Sequence, residues 1–79
     1  MPSSGWVCET LPFNGGYYYP TTRAFIAGTT EVWVNGLFEA NGYDYDESSN
    51  YGGIYFRTDL TDTDIVRICY QANGDPTFP

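Results

Sequence analysis

The chain has 79 residues, 42% apolar and 19% aromatic with eight tyrosines, and sets ten acids against three arginines for a net charge of −7. It contains neither His nor Lys, which removes imidazole general bases, Ser-His-Asp and Cys-His pairs, His-containing metal sites, Schiff-base lysines and the lysine of phosphate-binding loops. The aromatic content excludes a disordered tail, and the charge argues against nucleic-acid binding, which depends on cationic side chains that displace counterions from phosphates.

A chain this short buries only about 60% of its unfolded surface, so its core is marginal and a disulfide, a partner or self-association is expected. No apolar run approaches the roughly 20 residues of a membrane-spanning helix. The stretch from Met1 to Gly5 lacks the basic and apolar regions of a secretory signal, so the expectation is maturation in the cytoplasm where the chain is made.

Taken in order, Trp6 to Leu11 alternates and stops at Pro12, and Arg23 to Ala27 reads as a short strand ended by Gly28. Asn-Gly pairs fall at Asn14-Gly15, Asn35-Gly36, Asn41-Gly42 and Asn73-Gly74, and each suits a type I′ hairpin turn because both residues tolerate positive φ. The strongest hairpin is Glu31-Val32-Trp33-Val34, turning at Asn35-Gly36 and returning as Leu37-Phe38-Glu39. Tyr43 to Asp46 alternates aromatic and acidic residues at the start of a half-buried strand, and a loop follows over Glu47 to Asn50. Gly52-Gly53 opens the strand Ile54 to Thr58, Asp59 to Asp64 reads as a turn that tucks Leu60 inward, and Ile65 to Tyr70 closes the chain's strands with Val66, Ile68 and Tyr70 on one side. No window carries a helical period. The expected fold is all-β, a single domain over residues 1–79 made as a small antiparallel sandwich or partly open barrel of about six or seven short strands. Residues 1–30 are either part of that sheet or an arm.

Cys8 and Cys69 lie near opposite ends of the chain, where a bridge would stabilise by roughly 4 kcal/mol in the chain-entropy account. The cytoplasmic expectation favours reduced, buried thiols, and a Cys8–Cys69 disulfide is the alternative. Two cysteines without His do not make a structural zinc site.

The series Val32-Trp33-Val34-Asn35-Gly36-Leu37-Phe38, then Asp44-Tyr45, Ile54-Tyr55-Phe56, Leu60 and Asp64-Ile65-Val66-Arg67-Ile68-Cys69-Tyr70 resembles a β module of virion proteins of tailed bacteriophages. The likeness spans about half the chain, residues 31–70, and departs from the usual pattern at Thr63, where the module carries Gly. It implies a virion structural protein with no catalytic role and no cofactor. A capsid decoration (cement) protein is the leading expectation, assembled commonly as a trimer and bound to the major capsid protein or other virion subunits. Two alternatives stand beside it: a tail-fibre or tail-tip module that binds host glycan, and an acidic DNA mimic that blocks a host nuclease.

The candidate interface residues are Trp6, Tyr17, Tyr18, Tyr19 and Phe78, aromatic beyond the needs of a small core. Asp44, Asp46 and Ser48 imitate the first three ligand positions of a calcium loop, but Ser49 and Tyr55 replace its Gly and Glu, so no metal site is expected. Asp62 and Asp64 are expected to satisfy backbone donors in their turn in preference to acting as paired catalytic carboxylates. Arg57 and Arg67 are expected on adjacent strands, paired with Glu31 or Asp59.

Overall fold

The computed structural model describes residues 5–73. Seven strands form two antiparallel sheets, with no helix among the described residues. They are β1 (Trp6–Leu11), β2 (Tyr18–Pro20), β3 (Glu31–Val34), β4 (Leu37–Glu39), β5 (Tyr45–Glu47), β6 (Gly53–Phe56) and β7 (Val66–Gln71). One sheet has the order β1-β7-β3-β4 and the other β2-β6-β5. They pack as a small sandwich that does not close into a barrel.

The core lies between the layers and follows the two-residue period of the strands. Leu11, Val32, Val66, Ile68 and Tyr70 come from the four-stranded sheet, and Tyr19, Tyr45, Ile54 and Phe56 from the three-stranded one. Phe56 takes the edge of Tyr19 at 5.3 Å between ring centres and tilts against Tyr45 at 6.2 Å. Leu60 packs on this cluster from the loop before β7.

Asn35-Gly36 is the two-residue turn between β3 and β4, with φ of +54° and +84°. Positive φ at both central positions defines the type I′ turn, whose twist matches that of the strands it joins. Two other pairs are not hairpin turns. Asn14-Gly15 and Asn41-Gly42 lie in passages from one sheet to the other, where no neighbouring strand waits to pair, and Gly74 lies outside the described residues.

The segment Arg23 to Ala27 is not a strand either. Phe25 makes an isolated bridge to Ala72, its N–H bonds to Tyr51 O, and the Ile26 N–H bonds to Gln71 O. The segment's donors are thus divided between β7 and the loop from β5 to β6, and no ladder can grow. Residues 5–30 do not form an arm, since β1 and β2 enter different sheets of the sandwich.

Cys8 and Cys69 are directly opposite in the β1–β7 register and form a disulfide, with Cα atoms 4.0 Å apart. This overturns the expectation of reduced thiols. It staples an edge strand to a central one, which suits a core this small.

Candidate functional site

The outer face of the four-stranded sheet is set by the odd and even phases of its strands. β7 turns Val66, Ile68 and Tyr70 to the core, so Arg67 and Cys69 face outward. Register then places Thr10, Arg67, Trp33 and Phe38 in one row across all four strands. Trp33 and Phe38 meet edge to face with ring centres 5.5 Å apart. Beside them an open concavity of about 310 Å³ is lined by Trp33, Gly36, Ile65, Arg67 and Cys69.

The rim of this concavity is apolar and exposed: Phe38, on the same outer face, is 63% exposed and Ile65 62%. Ile65 is fixed there by the Asn35 turn, whose N–H bonds to Ile65 O while its Oδ1 accepts the Ile65 N–H at 2.9 Å. Arg67 makes no ion pair among the described residues. An aromatic pair, an apolar rim and an unengaged guanidinium are the side chains enriched at the centres of protein interfaces.

Arg57 and Arg67 belong to different sheets, contrary to the expectation of adjacent strands. Arg57 follows β6 and forks onto Asp46 of β5, with Nε and Nη2 at 2.8 and 2.7 Å from its two carboxylate oxygens. The Arg57 hydrogen bonds hold the Asp46 carboxyl below the usual carboxylate range. On the same outer face Tyr18 and Tyr55 pack at a tilt of 40° with ring centres 4.6 Å apart. The Tyr18 ring covers Gly53, where a Cβ would meet its atoms at 2.5 to 2.7 Å.

The interface candidates therefore do not converge. Trp6 is 57% exposed on the outer face of the four-stranded sheet, Tyr18 is half-buried on the opposite sheet and Tyr17 is 52% exposed beside it. Tyr19 is a core residue with no exposed surface, because an extended chain must turn every second ring of a Tyr triplet inward. Phe78 lies outside the described residues. Trp33 and Phe38 come together with Ile65 and Arg67 only through the register of β3 on β7, strands far apart in the chain, so no local pattern marks them as a group.

The acids work mainly inside the fold. Glu47 accepts the Gly28 N–H, the Thr30 hydroxyl at 2.7 Å and the Asn41 amide, and the buried Thr30 hydroxyl also meets the Tyr45 hydroxyl at 2.9 Å. Asp44 accepts the Ala40 N–H and Ser48 bonds Asn50, so with Asp46 on Arg57 these three diverge to separate partners. Asp64 accepts the Thr61 N–H and the Asn35 amide, each at 2.8 Å, and these bonds lower its carboxyl from the ordinary value.

No protein-family model, curated protein or solved structure matches this chain.

Proposed function

We propose that this protein is a structural binding module that docks through the outer face of its four-stranded sheet onto a repeating protein lattice, in the manner of a decoration protein on the outer shell of a tailed-phage capsid. The row Thr10, Arg67, Trp33 and Phe38, with its open concavity and apolar rim, carries the reading. Weak single contacts of this kind gain strength when they repeat over many symmetric sites. Resemblance of residues 31–70 to virion β modules supplies the lattice.

The test is binding to purified empty shells. The chain should bind and raise the temperature at which particles burst. Phe38→Ser and Arg67→Glu, both at exposed positions, should weaken binding by at least about tenfold. Failure of the unaltered chain to bind would sink the lattice reading, whereas undiminished binding by both variants would move the docking face elsewhere.

A second reading rests on the opposite sheet, where the tilted Tyr18 and Tyr55 rings adjoin the Asp46–Arg57 pair. Aromatic faces beside a carboxylate and a guanidinium are the groups that stack on and hydrogen-bond a sugar ring. On that reading Tyr55→Ala abolishes adsorption to host cells and leaves particles intact, while Trp6→Ala, on the other sheet, does not. Mimicry of DNA draws less support, because Glu9, Asp44, Asp46, Glu47 and Asp64 are engaged by internal donors and do not form an acidic array.

A further inference from the structure

Among the described residues, β1 is an edge strand of six residues, paired on one side only. In an antiparallel ladder, alternate residues point their N–H and C=O toward the partner and the rest point away, and the close pairs are those that exchange no bonds. The Cα separation of 4.0 Å at Cys8 and Cys69 marks such a close pair, and the Ala72 N–H bond to Gly5 O fixes the alternation. Val7, Glu9 and Leu11 therefore bond to β7, and the backbone groups of Trp6, Cys8 and Thr10 face the open side.

Other edges among the described strands are shorter and partly engaged. β4 has three residues, of which only Phe38 faces outward, and the following turn bonds back on Ala40 through Tyr43, Asp44 and the Asp44 carboxylate. β2 ends in Pro20, which has no donor, and the Tyr18 carbonyl accepts the Asn14 amide. β5 has three residues, and the Gly42 N–H caps the Tyr45 carbonyl. β1 has none of the usual edge guards, since it contains no Lys, no Pro and no bulge in its register.

We infer that the β1 edge pairs antiparallel with β1 of a second copy, about a two-fold axis at Cys8, fusing two four-stranded sheets into one. Pairing outward residue with outward residue sets Trp6 opposite Thr10 of the second copy, Cys8 opposite Cys8, and Thr10 opposite Trp6. Two observations bear on a second copy: the first removes an obstacle to it, and the second selects it over an unrelated strand.

The first is charge. Two chains of net charge −7 repel, and Glu9 is the only charged residue of β1. Its side chain is on the inner face, where Oε2 accepts the Tyr70 hydroxyl and the N–H and hydroxyl of Thr22. The edge therefore presents no unengaged acid. The second is Arg67. Thr10 stands between Arg67 and the open edge in the same outward row, and the proposed register brings Trp6 of the second copy to the other side of Thr10. The short Thr10 side chain leaves room for the guanidinium to reach the indole face, an attraction that a strand lacking an aromatic at that place would not supply. The assembly is two-fold, in contrast to the three-fold one implied by the virion resemblance, and it does not depend on the lattice reading.

The experiment is sedimentation and light scattering over a wide dilution series, combined with residue-resolved amide exchange. At high concentration the mass should approach twice the 8.9 kDa of the chain. The amides of Trp6, Cys8 and Thr10 should then exchange more slowly, by on the order of tenfold or more, than in the dilute chain. Trp6→Lys removes the indole and sets a cation beside Arg67 of the second copy, so dissociation should become at least about tenfold easier. Trp6 is 57% exposed, so this variant should keep the circular dichroism of the parent. A monomer at every concentration overturns the inference. So does a dimer in which the Phe38 amide is protected and those of β1 are not, or a dimer that Trp6→Lys leaves unchanged.

Discussion

The Tyr70 hydroxyl donates to the Glu9 carboxylate at 2.7 Å on the inner side of the same β1–β7 ladder whose outer side carries the Cys8–Cys69 disulfide. The ladder is thus fastened on both faces. Replacing both cysteines with Ala should cost about 4 kcal/mol, because the unfolded chain regains the freedom of a long loop. Tyr70→Phe should cost less, about 1 to 2 kcal/mol, since Thr22 still bonds Glu9. Denaturant titration of the two variants gives the comparison; equal losses would mean that the disulfide closes no loop that matters.

Tyr19 has no exposed surface, and its hydroxyl is buried without a hydrogen-bond partner among the described residues. An unsatisfied buried hydroxyl costs more than it returns. Tyr19→Phe keeps the edge-to-face contact with Phe56 and should raise stability by about 1 kcal/mol. A lower melting temperature for this variant would show that the hydroxyl is satisfied in solution.

Asn35 holds φ of +54° and bonds Asp64 through Nδ2 and the Ile65 N–H through Oδ1. Asn35→Ala should therefore cost about 2 kcal/mol, from the left-handed backbone together with two lost hydrogen bonds. Asn14→Ala loses one side-chain bond, to the Tyr18 carbonyl, at a residue without positive φ, so its effect should be smaller. Chemical denaturation of the pair checks the ranking.

Burial is the leading cause that raises the hydroxyl pKa of Tyr19, Tyr45 and Tyr70 above the ordinary 10.0. The folded chain holds these protons more tightly than the unfolded one, so the associated stability is complete below pH 10.0 and is lost as pH rises through the higher folded values. At the acid end Asp46 and Asp64 are lowered from 3.8, so their contribution is present above that pH and is lost as pH falls through the folded values. Glu39, raised from 4.5 by burial and then by Asp44, acts with the opposite sign and at higher pH, adding stability as pH falls from its folded value to 4.5. The expected alkaline limb is the steeper of the two, and ultraviolet titration should show Tyr19, Tyr45 and Tyr70 ionising late, in step with unfolding. Alkaline stability that stays level well above pH 10.0 would contradict it.

Much of the fold is legible where the signal is local. Asn35-Gly36 specifies its own hairpin through positive φ, and the alternation of Val66, Ile68 and Tyr70 marks the inner face of β7 without help from any other strand. What could not be read depends on partners distant in sequence. Arg57 and Arg67 share an outward phase yet occupy different sheets, a fact decided by how β6 and β7 are distributed between layers. The Thr10, Arg67, Trp33 and Phe38 row needs three separate registers at once, and residues near one another in the chain encode only one of them. Cysteine pairing is hidden for a similar reason, since the β1–β7 register that sets Cys8 opposite Cys69 joins residues at opposite ends of the chain.

Ala72 donates its N–H to Gly5 O at 2.6 Å, so the backbone at the two ends of the described chain is joined at a single corner of the sandwich. The Asn35-Gly36 turn and Ile65 lie toward the other end of β7. A peptide or reporter grafted before Gly5 or after Asn73 would therefore emerge away from Ile65 and leave the concavity uncovered, which makes the fold a natural platform for display.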